Sequence, residues 1–224
     1  MLVLVSDLDG TLINVKDRFA HAQVNALAQL GYTITVEQVA PFVQYMMDAD
    51  KFLTGLGISL ESSEILQYLA LVEREFYQGW HHSYVIPGVI EALLRVRPRV
   101  DALRLITSRA WIADTHKEVE AFGLDQVFNH HVYTRGHLAK AEGVDEIPLF
   151  PFLDHRQRLI QLAIADIDSP DIVWVIGDSP NEMKAAWDLG LITVGVLTGF
   201  STAEELEPFC THILNSAAEI TTLL

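Results

Sequence analysis

Four short apolar runs set the tightest limit on what this chain can fold into: Leu2 to Val5, Leu103 to Ile106, Ile172 to Ile176 and Ile192 to Leu197. Each is strand-sized and almost free of polar interruption, the pattern of a strand covered on both faces in a parallel sheet. Asn129 to Tyr133 and Thr211 to Leu214 are weaker strand candidates. Stretches with helical length and periodicity, such as Thr115 to Phe122 and Arg158 to Ile167, fall between the runs. That alternation predicts an α/β fold with a doubly wound parallel sheet and a Rossmann-like core.

The alternation stops between about Asn14 and Tyr84, where apolar residues recur at helical spacing (Ile65, Leu69, Val72, Phe76) and no comparable strand occurs. Ala20, Val24 and Leu27 lead to Gly31, a helix stop, and Thr35 with Gln38 reads as a capping box. Three or four inserted helices are expected, and Pro87-Gly88 marks the return to the alternating pattern. The expected organisation is therefore a core of residues 1–14 and 85–224 with an α-helical domain at 15–84. Gly136 to Leu153, with two prolines and the patch "PLFPF", reads as one long irregular loop.

Charge and cysteine content narrow the function classes. With 15 basic against 30 acidic residues the formal net charge is −15, so the chain should repel nucleic acid, and an anionic ligand would need locally placed positive charge. Cys210 is the only cysteine, which removes internal disulfides and multi-cysteine metal sites and fits the cytoplasm. Met1 to Val5 lacks a basic flank and meets Asp7 too early for a signal peptide or a membrane span.

In an open parallel sheet, ligands bind beyond the carboxyl ends of the strands. Asp7 and Asp9 lie just past the first run, in "LVSDLDGTLI", where such acids either begin a turn or form a site. "LRLITSRA" brings the hydroxyls of Thr107 and Ser108 to the end of the next run, where they suit a phosphate oxygen or a helix cap equally. "IVWVIGDSPNEMKAA" adds Asp178 and, four residues on, Glu182. Clustered carboxylates need positive charge among them, and an all-oxygen set suits Mg²⁺. Glu182 has two readings, metal ligand or partner of Ser179 in a capping box with Pro180 at the first helical position.

"DLDGTL", "LITS" and "VIGDSPNE", in this order and spacing, resemble the haloacid dehalogenase superfamily, most closely its phosphoglycolate-phosphatase-like phosphatases. "VIPGVIEALL", "GVLTGFSTAEEL" and "THILNSAAEI" extend the likeness over nearly the whole chain, and the insert resembles that group's small cap domain. The resemblance implies a Mg²⁺-dependent phosphatase acting on a small phosphorylated metabolite, with no nucleic-acid or membrane partner. It makes Asp7 the nucleophile that forms an aspartyl phosphate and Asp9 the proton donor and acceptor. It has Asp7, the Asp9 carbonyl and Asp178 hold the metal, with Glu182 bound directly or through water. Gly10 and Thr11 would shape the turn at the phosphate, and Thr107, Ser108 and a basic side chain would hold its oxygens.

Two departures from the family pattern stand out. The usual lysine-proline pair is absent, and Arg156 is the chosen replacement, with Arg158 and Lys140 as rivals. Glu182 occupies the place of the usual aspartate. The adjacent pairs His81-His82 and His130-His131 are poor zinc candidates, because neighbouring residues do not converge on one face. The competing functional readings are a phosphomutase on the same scaffold and a phospholigand-binding protein without turnover. A dehalogenase would leave Asp9 without a leaving alcohol to protonate.

Overall fold

A computed structural model describes residues 1–45, 48–145, 152–168 and 170–224. The chain divides into two compact units, Met1–Asn14 with Val85–Leu224, and Val15–Tyr84. The first unit is built on a six-stranded sheet of β1 (Leu2–Ser6), β2 (Ala102–Thr107), β3 (Val132–Thr134), β4 (Ile172–Gly177), β5 (Ile192–Val196) and β6 (His212–Leu214). Every pairing is parallel, in the spatial order β3-β2-β1-β4-β5-β6. The order reverses at β1, the strand flanked by the partners that follow it in opposite directions. That is where an open α/β sheet leaves a crevice at its carboxyl edge.

The helices follow the chain. The second unit holds α1 (Lys16–Gln29), α2 (Val36–Val39), α3 (Ala49–Gly55) and α4 (Ser62–Gln78). The first unit holds α5 (Val89–Val96), α6 (Ile112–Ala121), α7 (Asp125–Phe128), α8 (Arg135–Glu142), α9 (Phe152–Ile164), α10 (Pro180–Asp188) and α11 (Ala203–Leu206). Val3, Val5, Ile106, Leu159, Ile160, Val175, Met183 and Ala186 form one buried cluster between the sheet and its helices. Arg104 is buried in the middle of β2; its guanidinium donates to the Ala163 carbonyl and pairs with Asp166, so the charge reaches partners at the end of α9. No helix among the described residues is long and apolar enough to cross a membrane.

In the second unit α1 packs against α4. Arg18 of α1 is fully buried there, its guanidinium 3.7 Å from the Phe76 ring centre and its Nε donating to the Phe76 carbonyl. Thr35 and Gln38 close a capping box at α2, and Gly31 follows α1 with φ of 89°. Both were expected from sequence.

Three expectations are corrected. Gly136 to Glu142 is not loop but most of α8, closed by Thr134 and His137 at one end and by Gly143 in the left-handed region at the other. The remainder of the expected loop, 146–151, lies outside the described residues. Strand β3 begins at Val132 and not at Asn129, because Asn129 has φ of 52° and the His131 N–H turns back to the Phe128 carbonyl. Helix α9 spans Phe152–Ile164, where Arg158 to Ile167 was expected, so it starts earlier and places Arg156 near its amino end.

Candidate active site

Register brings the chemistry-bearing residues together. Ser6 pairs with Leu105 on one side and with Ile176 on the other, so Asp7, Thr107 and Asp178 emerge at one edge of three adjacent strands. The Asp7 N–H still donates to the Ile176 carbonyl at 2.9 Å, which fixes its backbone as a continuation of β1. The chain then turns back: Leu12 and Ile13 N–H groups donate to the Leu8 carbonyl, and Gly10, at φ of 82°, closes the turn onto the Ile13 carbonyl. The Thr198 hydroxyl donates to the Gly10 carbonyl at 2.6 Å and ties this turn to the segment after β5.

Asp7, Asp178 and Glu182 are all buried, and the Arg156 guanidinium reaches into them from α9. Its Nη1 donates to Asp7 Oδ1 at 3.0 Å and to Glu182 Oε1 at 2.8 Å. Of the three basic residues considered, Arg156 alone touches Asp7. Arg158 points elsewhere, into a pair with Glu142 at 2.6 Å, and Lys140 is exposed in the last turn of α8. The Thr11 hydroxyl lies 3.5 Å from both Asp7 Oδ2 and Asp178 Oδ1, the long limit of a hydrogen bond.

Glu182 shows only half of the expected capping box. Its N–H donates to the Ser179 hydroxyl, but its carboxylate turns away from the Ser179 backbone towards Arg156. Its second oxygen, Oε2, is buried with no hydrogen-bond partner among the described residues. A buried oxygen left in that state costs free energy unless a further positive group arrives.

Electrostatics tell the same story. Burial pushes the Asp178 carboxyl up to about 7, with the neighbouring Asp7 charge adding to the shift. Burial also raises Asp7 and, further, Glu182, while Arg156 pulls both down. Arg156 itself is disfavoured by burial, but Glu182 and Asp7 more than offset this and hold it charged. Among the described residues one cation therefore serves several acids, and the cluster is short of positive charge.

The residues present fit a hard divalent ion in kind. The donors are all oxygen, Glu182 Oε2 lacks a partner among the described residues, and two glycines leave room beside Asp178: a Cβ added at Gly10 or Gly199 would overlap its carboxylate. Among the described residues no three acidic, histidine or cysteine side chains already stand at metal-ligand distance, since Arg156 spans two of the acids.

On the other side of Asp7 lies a second ion-pair system that sequence reasoning did not find. Arg109 grips both oxygens of Asp9, Nε to Oδ2 at 2.9 Å and Nη2 to Oδ1 at 2.7 Å, and also donates to Glu118 Oε2 of α6 at 2.6 Å. Thr107 lies 3.4 Å from Asp9 Oδ2. Ser108 Oγ is 2.7 Å from Nε2 of His155, a buried histidine next to Arg156. Arg109 directly follows the "LITS" stretch, which was the available signal; Glu118 and His155 gave none, since each reads as an ordinary polar residue of a helix. The Ser108 carbonyl in turn accepts from Arg135, and a Cβ at Gly136 would overlap the Ala110 carbonyl, so α8 packs directly under this loop.

Comparison with known proteins agrees with this architecture. Residues 1–190 match the family model of haloacid dehalogenase-like hydrolases. A phosphoglycolate phosphatase of Synechococcus elongatus is 27% identical over 216 residues, 94% of this chain and 90% of that protein. A haloacid dehalogenase-like hydrolase from Streptococcus pneumoniae superposes with a TM-score of 0.77 at 17% identity, covering 99% of this chain and 97% of that one. A family hydrolase from Deinococcus radiodurans, solved with bound phosphate and sodium, superposes with a TM-score of 0.68 at 20% identity, covering 97% and 92%. The chain therefore belongs to the haloacid dehalogenase-like hydrolases.

Proposed function

We propose that this hydrolase is a Mg²⁺-dependent phosphatase that removes phosphate from a small phosphorylated metabolite through an aspartyl phosphate on Asp7. The observation that carries the reading is the buried Asp7–Arg156–Glu182 arrangement with Asp178 beside it, at the carboxyl edge of the sheet. An ionised carboxylate needs no base to attack phosphorus, and Arg156 fixes the orientation of Asp7 and opposes the burial that raises its carboxyl. Mg²⁺ would be held by Asp7, the Asp9 carbonyl and Asp178, with Glu182 engaged directly or through water. When bound it would supply positive charge between the nucleophile and the phosphate.

The remaining roles fall to this chain's own groups. Asp9 gives a proton to the leaving alcohol and later takes one from water. Thr107 and Ser108 offer hydroxyl donors to the phosphoryl oxygens, and the turn at Gly10 and Thr11, whose Gly10 N–H is engaged by the Ile13 carbonyl, bends the backbone towards them. Glycolate phosphate is one candidate substrate, given the Synechococcus relative. A cytoplasmic setting accords with the single cysteine, Cys210, whose thiol burial raises to about 11.

The direct test is steady-state hydrolysis of p-nitrophenyl phosphate by the parent protein and by Asp7→Asn, each with Mg²⁺ and with EDTA. The expected outcome is activity that requires the metal and falls by at least about a thousandfold in the variant. Metal-independent activity, or a fully active Asp7→Asn, would overturn the reading. Analysis of the products of a phosphosugar then separates hydrolysis from a mutase, which would return a phosphorylated isomer without free phosphate.

A further inference from the structure

The Arg109 guanidinium is bound along two edges at once. One edge holds both oxygens of Asp9, at 2.9 and 2.7 Å, and the other holds Glu118 at 2.6 Å. Arg109 and Glu118 are each about 5% exposed, whereas the Asp9 side chain is 21% exposed and faces the site. A planar group fixed by a bidentate contact on one side and a buried carboxylate on the other cannot swing. The Asp9 side chain thus takes its direction from Arg109, and Arg109 takes its own from α6.

We propose that Arg109, anchored by Glu118, is the positioning residue that aims Asp9 for the second half of the reaction, hydrolysis of the aspartyl phosphate. The inference rests on the two-step phosphatase reading above. In that half a water oxygen bonds to phosphorus, and the water's proton passes to a carboxylate oxygen of Asp9. The bond between phosphorus and the Asp7 oxygen breaks, its electron pair returns to Asp7 as carboxylate, and inorganic phosphate leaves. A base contributes only when it stands within hydrogen-bond reach of the water, so an Asp9 that wanders loses this step first.

p-Nitrophenyl phosphate isolates that half, because p-nitrophenolate leaves without needing a proton from Asp9. The experiment is rapid-mixing and steady-state kinetics on this ester, with Mg²⁺, for the parent, Arg109→Gln, Arg109→Lys and Glu118→Gln. In Arg109→Gln, kcat falls by about 10-fold to 100-fold, KM falls with it, and kcat/KM stays within about 2-fold. A burst of p-nitrophenolate approaching one per active site accompanies the loss. Arg109→Lys keeps the charge but not the two-point grip and falls between; Glu118→Gln moves in the same direction by less. A variant damaged only in structure would lose kcat and kcat/KM together without a burst, and that result overturns the proposal, as does an unchanged kcat. If Arg109→Gln does not fold, the lysine and Glu118 variants decide the matter by the same readout. A parent that releases no p-nitrophenolate at all marks failure of the phosphatase reading itself, and the positioning role falls with it.

Discussion

Asp178 is a buried acid whose carboxyl is pushed up to about 7 by burial and by the Asp7 charge beside it. An aspartate in the unfolded chain titrates near 3.8. Between these values the folded protein binds a proton that the unfolded chain does not. Stability therefore falls as pH rises from about 4 to about 7 and the deficit persists above that range. Asp178→Asn removes the deficit: its amide oxygen keeps an acceptor for the Phe200 N–H, while its NH₂ faces the Thr11 hydroxyl, which accepts there and still has Asp7 Oδ2 to donate to. In EDTA at pH 8 the variant should be more stable than the parent by on the order of 2 kcal/mol, roughly 5 °C in melting temperature. The gap should narrow towards pH 5, and added Mg²⁺ should raise the melting temperature of the parent but not of the variant. Thermal denaturation across pH checks this, and a gap independent of pH would refute it. At this scale the sequence is informative where a residue's type and its place at a strand end agree, as at Asp7 and Asp178. It is silent about pairing: Arg109 finds Asp9 from the next strand and Glu118 from one face of α6, contacts that no periodicity encodes.

The elements hold the acids by close approach as much as by hydrogen bonds. Gly199, in the turn after β5, has no room for a Cβ, because Asp178 occupies that volume; Gly177, the last residue of β4, stands in the same relation to Glu182 Oε2. Gly199→Ala should therefore displace the Asp178 carboxylate and loosen the Phe200 N–H contact at 3.4 Å without cutting a strand. The expected result is a rise of about 10-fold or more in the Mg²⁺ concentration needed for half-maximal activity, with a far-ultraviolet spectrum like the parent's. Titration of activity with Mg²⁺ reads this, and a parental metal requirement would refute it. The central strands are legible as unbroken apolar runs, and α1 and α4 by apolar residues at helical spacing over several turns. Helix α8 is not, since its capping partner is His137 in place of the usual glutamate or glutamine, and its second residue, Gly136, reads as a loop signal. That glycine is there for the Ala110 carbonyl packed against it.

For the molecule as a whole, a formal charge of −15 opposes the approach of any phosphorylated substrate. The excess of 30 acidic over 15 basic residues is visible in the sequence, while the buried positions of Arg156 and Arg109 are not. Both guanidiniums are already paired with carboxylates, so neither projects a net positive field into solvent to counter the surplus. Salt screens the long-range repulsion far more than it weakens contacts inside the site, as the Debye length shrinks from about 30 Å at 0.01 M to about 8 Å at 0.15 M. Since kcat/KM includes the work of bringing the dianion from bulk water to the transition state, it should rise with ionic strength. We expect an increase of about 2-fold to 5-fold between those two salt concentrations, with Mg²⁺ held saturating and kcat nearly constant. The measurement is steady-state kinetics in potassium chloride with a dianionic phosphate ester. A fall in kcat/KM over the same range would mean that local positive potential at the site outweighs the charge of the whole chain.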